Sequence, residues 1–140
     1  MKKIFKHLLS LIVVLSFLII AFGSDNQKSN GTEISTKEPS FTVSANKLYS
    51  DYKSNGVSAD VKYKGKVIKV IGVVNNIDRD LMDNIYVTLK GDKYFGDIQC
   101  FFSEDYVGKA SKLYKGKRIT VKGICDGKLM NVMLNDCVIE

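Results

Sequence analysis

The only histidine in this chain is His7, so beyond the first 23 residues all chemistry falls to tyrosine, lysine, carboxylate and cysteine. Histidine-dependent hydrolase triads and zinc sites with histidine ligands are excluded there. Three cysteines, Cys100, Cys125 and Cys137, read most simply as small buried thiols. In an oxidising compartment one pair could bridge, leaving one over. Asp78-x-Asp80-x-x-Asp83 opens like a calcium loop, but Asp83 stands where glycine is needed and Leu89 where the closing glutamate is needed. It reads as an acidic turn. There is no Walker loop, dinucleotide fingerprint, zinc cysteine spacing or pair of carboxylates at a catalytic spacing. No enzyme, metal or cofactor is expected.

The second chemical resource is lysine. The full chain carries +6, but Lys2, Lys3 and Lys6 belong to an N-terminal leader. The remainder has 18 basic against 15 acidic residues, a surplus of +3. That surplus alone is no nucleic-acid footprint, which needs clustered charge. The leader has a basic start, an apolar run from Leu8 to Phe22, and a small-x-small site at Ala21-Phe22-Gly23. This is the grammar of a signal peptide. The run of about 15 residues is shorter than the ~20 that a spanning helix needs. Residues 1–23 are therefore expected to be a signal peptide or an N-terminal membrane anchor, with the rest extracytoplasmic: secreted, periplasmic or at the cell surface. Residues 24–40 are polar and aperiodic, contain the only proline, and read as a flexible linker. Asn30-Gly31-Thr32 matches a short glycosylation pattern. The globular domain is expected over 41–140.

The elements of that domain follow from periodicity. Ser44 can cap a helix to about Asn55, with Leu48, Tyr49 and Tyr52 on one face, and Ala59 to Tyr63 can add a short turn. A motif then appears twice: Tyr63-Lys-Gly-Lys-Val-Ile-Lys-Val-Ile-Gly72 and Tyr114-Lys-Gly-Lys-Arg-Ile-Thr-Val-Lys-Gly123. Each copy is a turn followed by a strand of period two. The first strand turns Ile68, Val70, Gly72 and Val74 to one side and extends towards Ile77, with a turn over 78–84. Strands at 85–90 and 97–102 follow, the second with Ile98, Cys100 and Phe102 on one face. Ser103 can cap a short helix with Glu104 and Asp105 in its first turn and a stripe of Val107, Ala110 and Leu113. The second repeat copy is the fourth strand, with Ile119, Val121, Gly123 and Cys125 inward. Asp126-Gly127 is a hairpin turn signal, and residues 130–139 form the fifth strand.

Helix, three strands, helix, two strands is the layout of an OB-fold, a five-stranded Greek-key barrel. The fold class expected is all-β with short helices: an N-terminal helix, and another between strands three and four. The residues bearing a family likeness are Ala45, the Lys-Gly-Lys starts, Val70-x-Gly72-x-Val74, Tyr86-Val87-x-Leu89, Gln99-Cys100-x-Phe102, Val121-x-Gly123-x-Cys125 and Val132-x-Leu134-x-x-Cys137. On these, Ser44 to Glu140 resembles the exported tRNA-anticodon-binding-like OB-fold domains, the tRNA_anti-like family. They are core and turn positions, so the resemblance implies a fold and brings no activity with it.

OB domains usually bind on the face of strands two and three. Outward parity places Tyr86, Thr88, Gln99 and Phe101 there, with Lys69 and Lys90 expected nearby. Rings and cations together could stack bases and hold phosphates, or receive a sugar or peptide. The competing reading is a cross-strand Tyr86–Phe101 pair covered by the N-terminal helix. Lys62, Lys64, Lys66, Lys112, Lys115, Lys117 and Arg118 surround the two repeat starts. If strands one and four are neighbours, these charges are expected to gather at one end. They would attract an anionic polymer or a membrane surface, or else form a solvated rim that guards strand edges. A turn at Asp126-Gly127 would leave Cys125 and Cys137 roughly 26 Å apart, against the under ~7 Å that a bridge requires between α-carbons. In OB topology strands three and five are neighbours, so Cys100–Cys137 is the pair of choice for a disulfide. The function expected is an extracytoplasmic binding or interaction module of the cell envelope. Its partner would be a protein, a glycan or an anionic polymer, with membrane contact through the leader if uncleaved. The alternative is a domain that binds single-stranded nucleic acid outside the cytoplasm.

Overall fold

The structure is a computed structural model that describes residues 31–94 and 96–140. The leader and Asn30 lie outside the described residues. In chain order the elements are α1 (Gly31–Thr36), β1 (Phe41–Ser44), α2 (Ala45–Ser54), α3 (Gly56–Tyr63), β2 (Val67–Arg79), β3 (Ile85–Lys90) and β4 (Asp97–Phe102). A 3-10 turn (Glu104–Tyr106), α4 (Val107–Ala110), β5 (Arg118–Lys128) and β6 (Val132–Ile139) complete the domain. Strands β2 to β6 run in the order β2-β3-β4-β6-β5, and a further β2–β5 pairing closes the barrel. This is the expected OB-fold.

Closure depends on β2, whose 13 residues reach both β5 and β3. Its first half pairs with β5, from Val67 opposite Ile124 to Val73 opposite Arg118. A bulge between Val74 and Asn76 then bends the strand, and its second half pairs with β3. Ile68, Val70 and Val74 point into the barrel with no exposure, beside Val87, Leu89, Ile98, Val121 and Leu134. Burying such side chains is the main source of stability, each contributing about 1.5–3 kcal/mol.

Ser44 caps α2 as expected, its side chain accepting from Lys47 N at 3.2 Å. The helix buries Leu48, Tyr49 and Tyr52 against the barrel mouth. Tyr49 lies where any side chain on Gly91 or Gly96 would stand, so the β3–β4 loop must be glycine at both points. Burial, then the Tyr52–Cys125 contact at 3.4 Å, push the Tyr52 phenol well above its usual pKa.

Four features depart from the expectations. First, Phe41–Ser44 forms a sixth strand, parallel to β2 and covering the edge of its first half. Second, α1 lies inside the stretch read as a flexible linker. It docks on β5 and β6 with Ile34 buried to 1% exposure. Third, Asp126-Gly127 is no hairpin turn. Gly127 takes φ +90 at a bulge within β5, and the turn comes at Leu129, whose N–H donates to Asn131 O at 3.1 Å. Asp60 of α3 approaches Gly127 so closely that an added Cβ would lie 3.0 Å from it. A left-handed glycine serves a bulge as well as a turn, and this contact calls for the bulge. Cys125 therefore faces Leu134, three residues from Cys137, which shortens the separation expected between those cysteines. Fourth, the short helix after Ser103 ends at Ala110, which leaves Leu113 of the expected stripe beyond it.

Candidate functional site

Register brings the expected face together. Tyr86 is opposite Phe101, Thr88 opposite Gln99 and Lys90 opposite Asp97. The Tyr86 and Phe101 rings pack at 5.7 Å between centroids. Tyr86, Gln99 and Phe101 keep part of their surface open, because α2 spends its apolar face on the barrel mouth. Thr88 is 6% exposed, and its hydroxyl has no partner.

Lys69 does not join them. It lies in the other half of β2, opposite Lys122 of β5, and pairs with Glu140 at 2.5 Å. Glu140 also holds Lys122 at 2.8 Å, and Lys122 donates to Ser35 O of α1 at 2.8 Å. Bonds from Lys122 and then Lys69 hold the Glu140 carboxyl below its usual range. Lys69 is thus a latch residue on the far side of the bend in β2.

The basic rim is also divided. β2 and β5 are antiparallel, so their starts lie at opposite ends of the seam. Lys64 and Lys66 stand at one end and Lys115, Lys117 and Arg118 at the other, about 20 Å apart along the strands. Lys66 is occupied in bonding the carbonyls of Lys62 and Val61, at 2.7 and 3.3 Å. Lys62 packs on the Tyr63 ring at 4.7 Å, and Lys117 on Tyr114 at 5.7 Å.

What the sequence did not signal is a pocket at the Lys90–Asp97 end of the face. It encloses about 530 Å³ between the start of α2, the β2 bulge, the β3–β4 loop and the β5–β6 turn. Asn46, Asn75, Lys90, Lys93, Tyr94 and Asn131 line it. Asparagines scattered over 86 positions carry no local pattern, and only barrel closure assembles them.

The acidic turn behaves as read. Both carboxylate oxygens of Asp80 are engaged, by the backbone of Met82 and Asn84 and by the Asn84 side chain. Among the described residues, no group of three or more His, Cys, Asp or Glu could hold a metal ion. Cys100, Cys125 and Cys137 are buried free thiols. Burial, then the neighbouring Cys100 thiol, push the Cys137 thiol well above its usual value. Among the described residues no helix is long and apolar enough to cross a membrane.

Among solved structures, a candidate nucleic acid-binding lipoprotein from Klebsiella pneumoniae subsp. pneumoniae MGH 78578 superposes with a TM-score of 0.59. It is 20% identical over 72% of this chain and 92% of its own. An OBody bound to hen egg-white lysozyme aligns at a TM-score of 0.43, 14% identical over 56% of this chain and 84% of its own. No curated protein matches. The tRNA_anti-like family model matches residues 1–138, and this chain, with its five-stranded barrel and Ile-x-Val-x-Gly seam, belongs to the tRNA_anti-like family.

Proposed function

We propose that this protein is a binding module of the cell envelope, not an enzyme, and that its ligand lies across the β3–β4 face. The observation that carries this is the face itself. A partly open ring pair and the Gln99 amide, whose oxygen accepts from Asn131 of the pocket at 3.3 Å, run in register into a polar pocket. Such convergence of a few polar groups beside apolar surface is how small binding sites are built. The basic leader grammar supports export, and the lipoprotein among the fold neighbours agrees with it.

A photo-reactive residue tests the reading. Placed at Gln99 in living cells, it is expected to give adducts in the envelope fraction. Placed at Lys112, off the face, it is expected to give none. Equal labelling at both positions, or none at Gln99, would overturn the assignment.

The second reading is single-stranded nucleic acid, favoured by the Tyr86–Phe101 ring pair and by the description of the Klebsiella neighbour. Charge argues against it. The lysines of the two repeat starts lie off this face and at opposite ends of the seam, and Lys90 and Lys93 stand beside Asp92 and Asp97. Oligothymidylate affinity that falls steeply with salt would restore this reading.

A further inference from the structure

We infer that the 530 Å³ pocket at the end of the face is a saccharide site, an assignment that rests on the binding reading above and names its ligand class. Three observations lead there.

The pocket wall is already locked. Asp97 sits at its centre, accepting from Asn75 Nδ2 at 2.7 Å and from Gly91 N at 3.3 Å. Its own N–H donates to Asn131 Oδ1 at 3.0 Å, and Asn131 Nδ2 donates to Gln99 at 3.3 Å. Asn46 Nδ2 donates to Gly91 O at 3.0 Å. The amides are thus ordered before any ligand arrives, which lowers the cost of binding.

The groups left over are of both kinds. Asn46 and Asn75 each spend one N–H on the protein, which leaves a second N–H and an Oδ1 atom with no protein partner among the described residues. Lys90 stands free of any ion pair among the described residues, as a donor. A hydroxyl both donates and accepts, so a ring bearing several hydroxyls can meet both. A phosphodiester only accepts, and would leave the carbonyls of Asn46 and Asn75 and the carboxylate of Asp97 unmatched.

Charge and shape agree. The lining sums to zero, two lysines against two aspartates, and Lys53, paired with Asp92 at 2.9 Å from outside it, adds a single positive charge. Near-neutral lining suits a neutral ligand. At the rim Tyr94 is 72% exposed, an aromatic surface for the C–H face of a sugar ring. The volume lies within the roughly 300–1,000 Å³ of small-molecule sites.

The test is an NMR titration of the full chain, held in a phosphocholine detergent free of sugar, with chitobiose and cellobiose as probes. At least one is expected to shift the side-chain amides of Asn46, Asn75 and Asn131, with a Kd in the millimolar range or tighter. The shifts should persist as salt rises, since no counterions are released. Asn46→Ala and Tyr94→Ala, both at exposed positions, are expected to weaken binding by about tenfold each. No shift with either disaccharide would overturn the inference, as would binding that both variants leave unchanged. Shifts produced only by oligothymidylate or inorganic phosphate, and lost with salt, would also overturn it. Failure here with Gln99 adducts intact removes the ligand class alone, whereas loss of those adducts removes the face.

Discussion

Val70 of β2 and Val121 of β5 stand directly opposite each other, and the two copies of the repeat are related head to tail about that pair. Ile68 faces Gly123, and Gly72 faces Ile119. Beyond them each turn clasps the far end of the other copy. Gly65 N donates to Cys125 O at 2.7 Å, and Cys125 N returns a bond to Lys66 O at 3.0 Å. Gly116 N donates to Val74 O at 2.8 Å, and Val74 N to Lys117 O at 2.8 Å. The repeat is a local two-fold axis written into sequence, and its conserved spacing within the chain is the spacing of the clasps.

The seam glycines are expected to tolerate no side chain. A Cβ on Gly123 would lie 2.7 Å from Cys137 Sγ and 2.9 Å from Asn135 O, and one on Gly72 2.9 Å from Ala45 Cβ. Gly123→Ala and Gly72→Ala should each cost about 1–3 kcal/mol in urea unfolding. Gly65→Ala meets nothing nearby and carries only the strain of φ +76, at about 1 kcal/mol. A Gly123→Ala protein as stable as the parent would refute this account of the seam.

The α1 latch should open before the barrel. Ile34→Ala removes the buried anchor of α1, at a cost of about 2 kcal/mol or more. Lys122→Met removes two charge-assisted bonds, at about 1–3 kcal/mol. Hydrogen exchange is expected to quicken in residues 31–36 of both variants while β2 and β5 stay protected. Uniform loss of protection across the barrel would show that α1 is no separate unit.

Acid should loosen the same latch. The folded Glu140 carboxyl lies below its ordinary value of 4.5, so its contribution is present above that value. It is lost as pH falls through the lowered folded value. Glu140→Gln is expected to flatten the acid limb of the stability curve and leave the neutral region less stable. An unchanged acid limb in that variant would contradict the assignment.

The thiols offer a count. Native reduced protein should resist a thiol reagent, because all three cysteines are buried, and should yield three thiols when unfolded. Cys100 and Cys137 are the pair we propose an oxidant would join, β4 and β6 being paired neighbours. Protein refolded under a disulfide oxidant should then yield one thiol, assigned by mass to Cys125. A bridge to Cys125 would exclude this pairing.

Much of this architecture is legible in the chain because burial follows parity. Ile68, Val70 and Val74 alternate with half-exposed residues, as period two demands. The limits of β3 and β4 are set by Gly91 and Gly96, both forced by Tyr49. Legibility stops where partners are distant. Ile34 is a lone apolar residue in a polar stretch, and β1 is only four residues long. Both take their structure from strands they dock on. Lys69 has the right parity for the candidate face but the wrong side of a bend that no local pattern marks. The two lysine clusters share a sequence, yet antiparallel pairing sends them to opposite ends.

The docking of α1 also decides how this domain bears a load. Tension arriving through the residues before Gly31 reaches the barrel by way of Ile34 and the Lys122–Ser35 bond. These few contacts peel one after another, whereas β2 and β5 are joined along a seven-residue ladder that must yield together. The helix would therefore act as a mechanical fuse. It releases the stretch from Gly31 to Ser40 as slack while the candidate face stays folded.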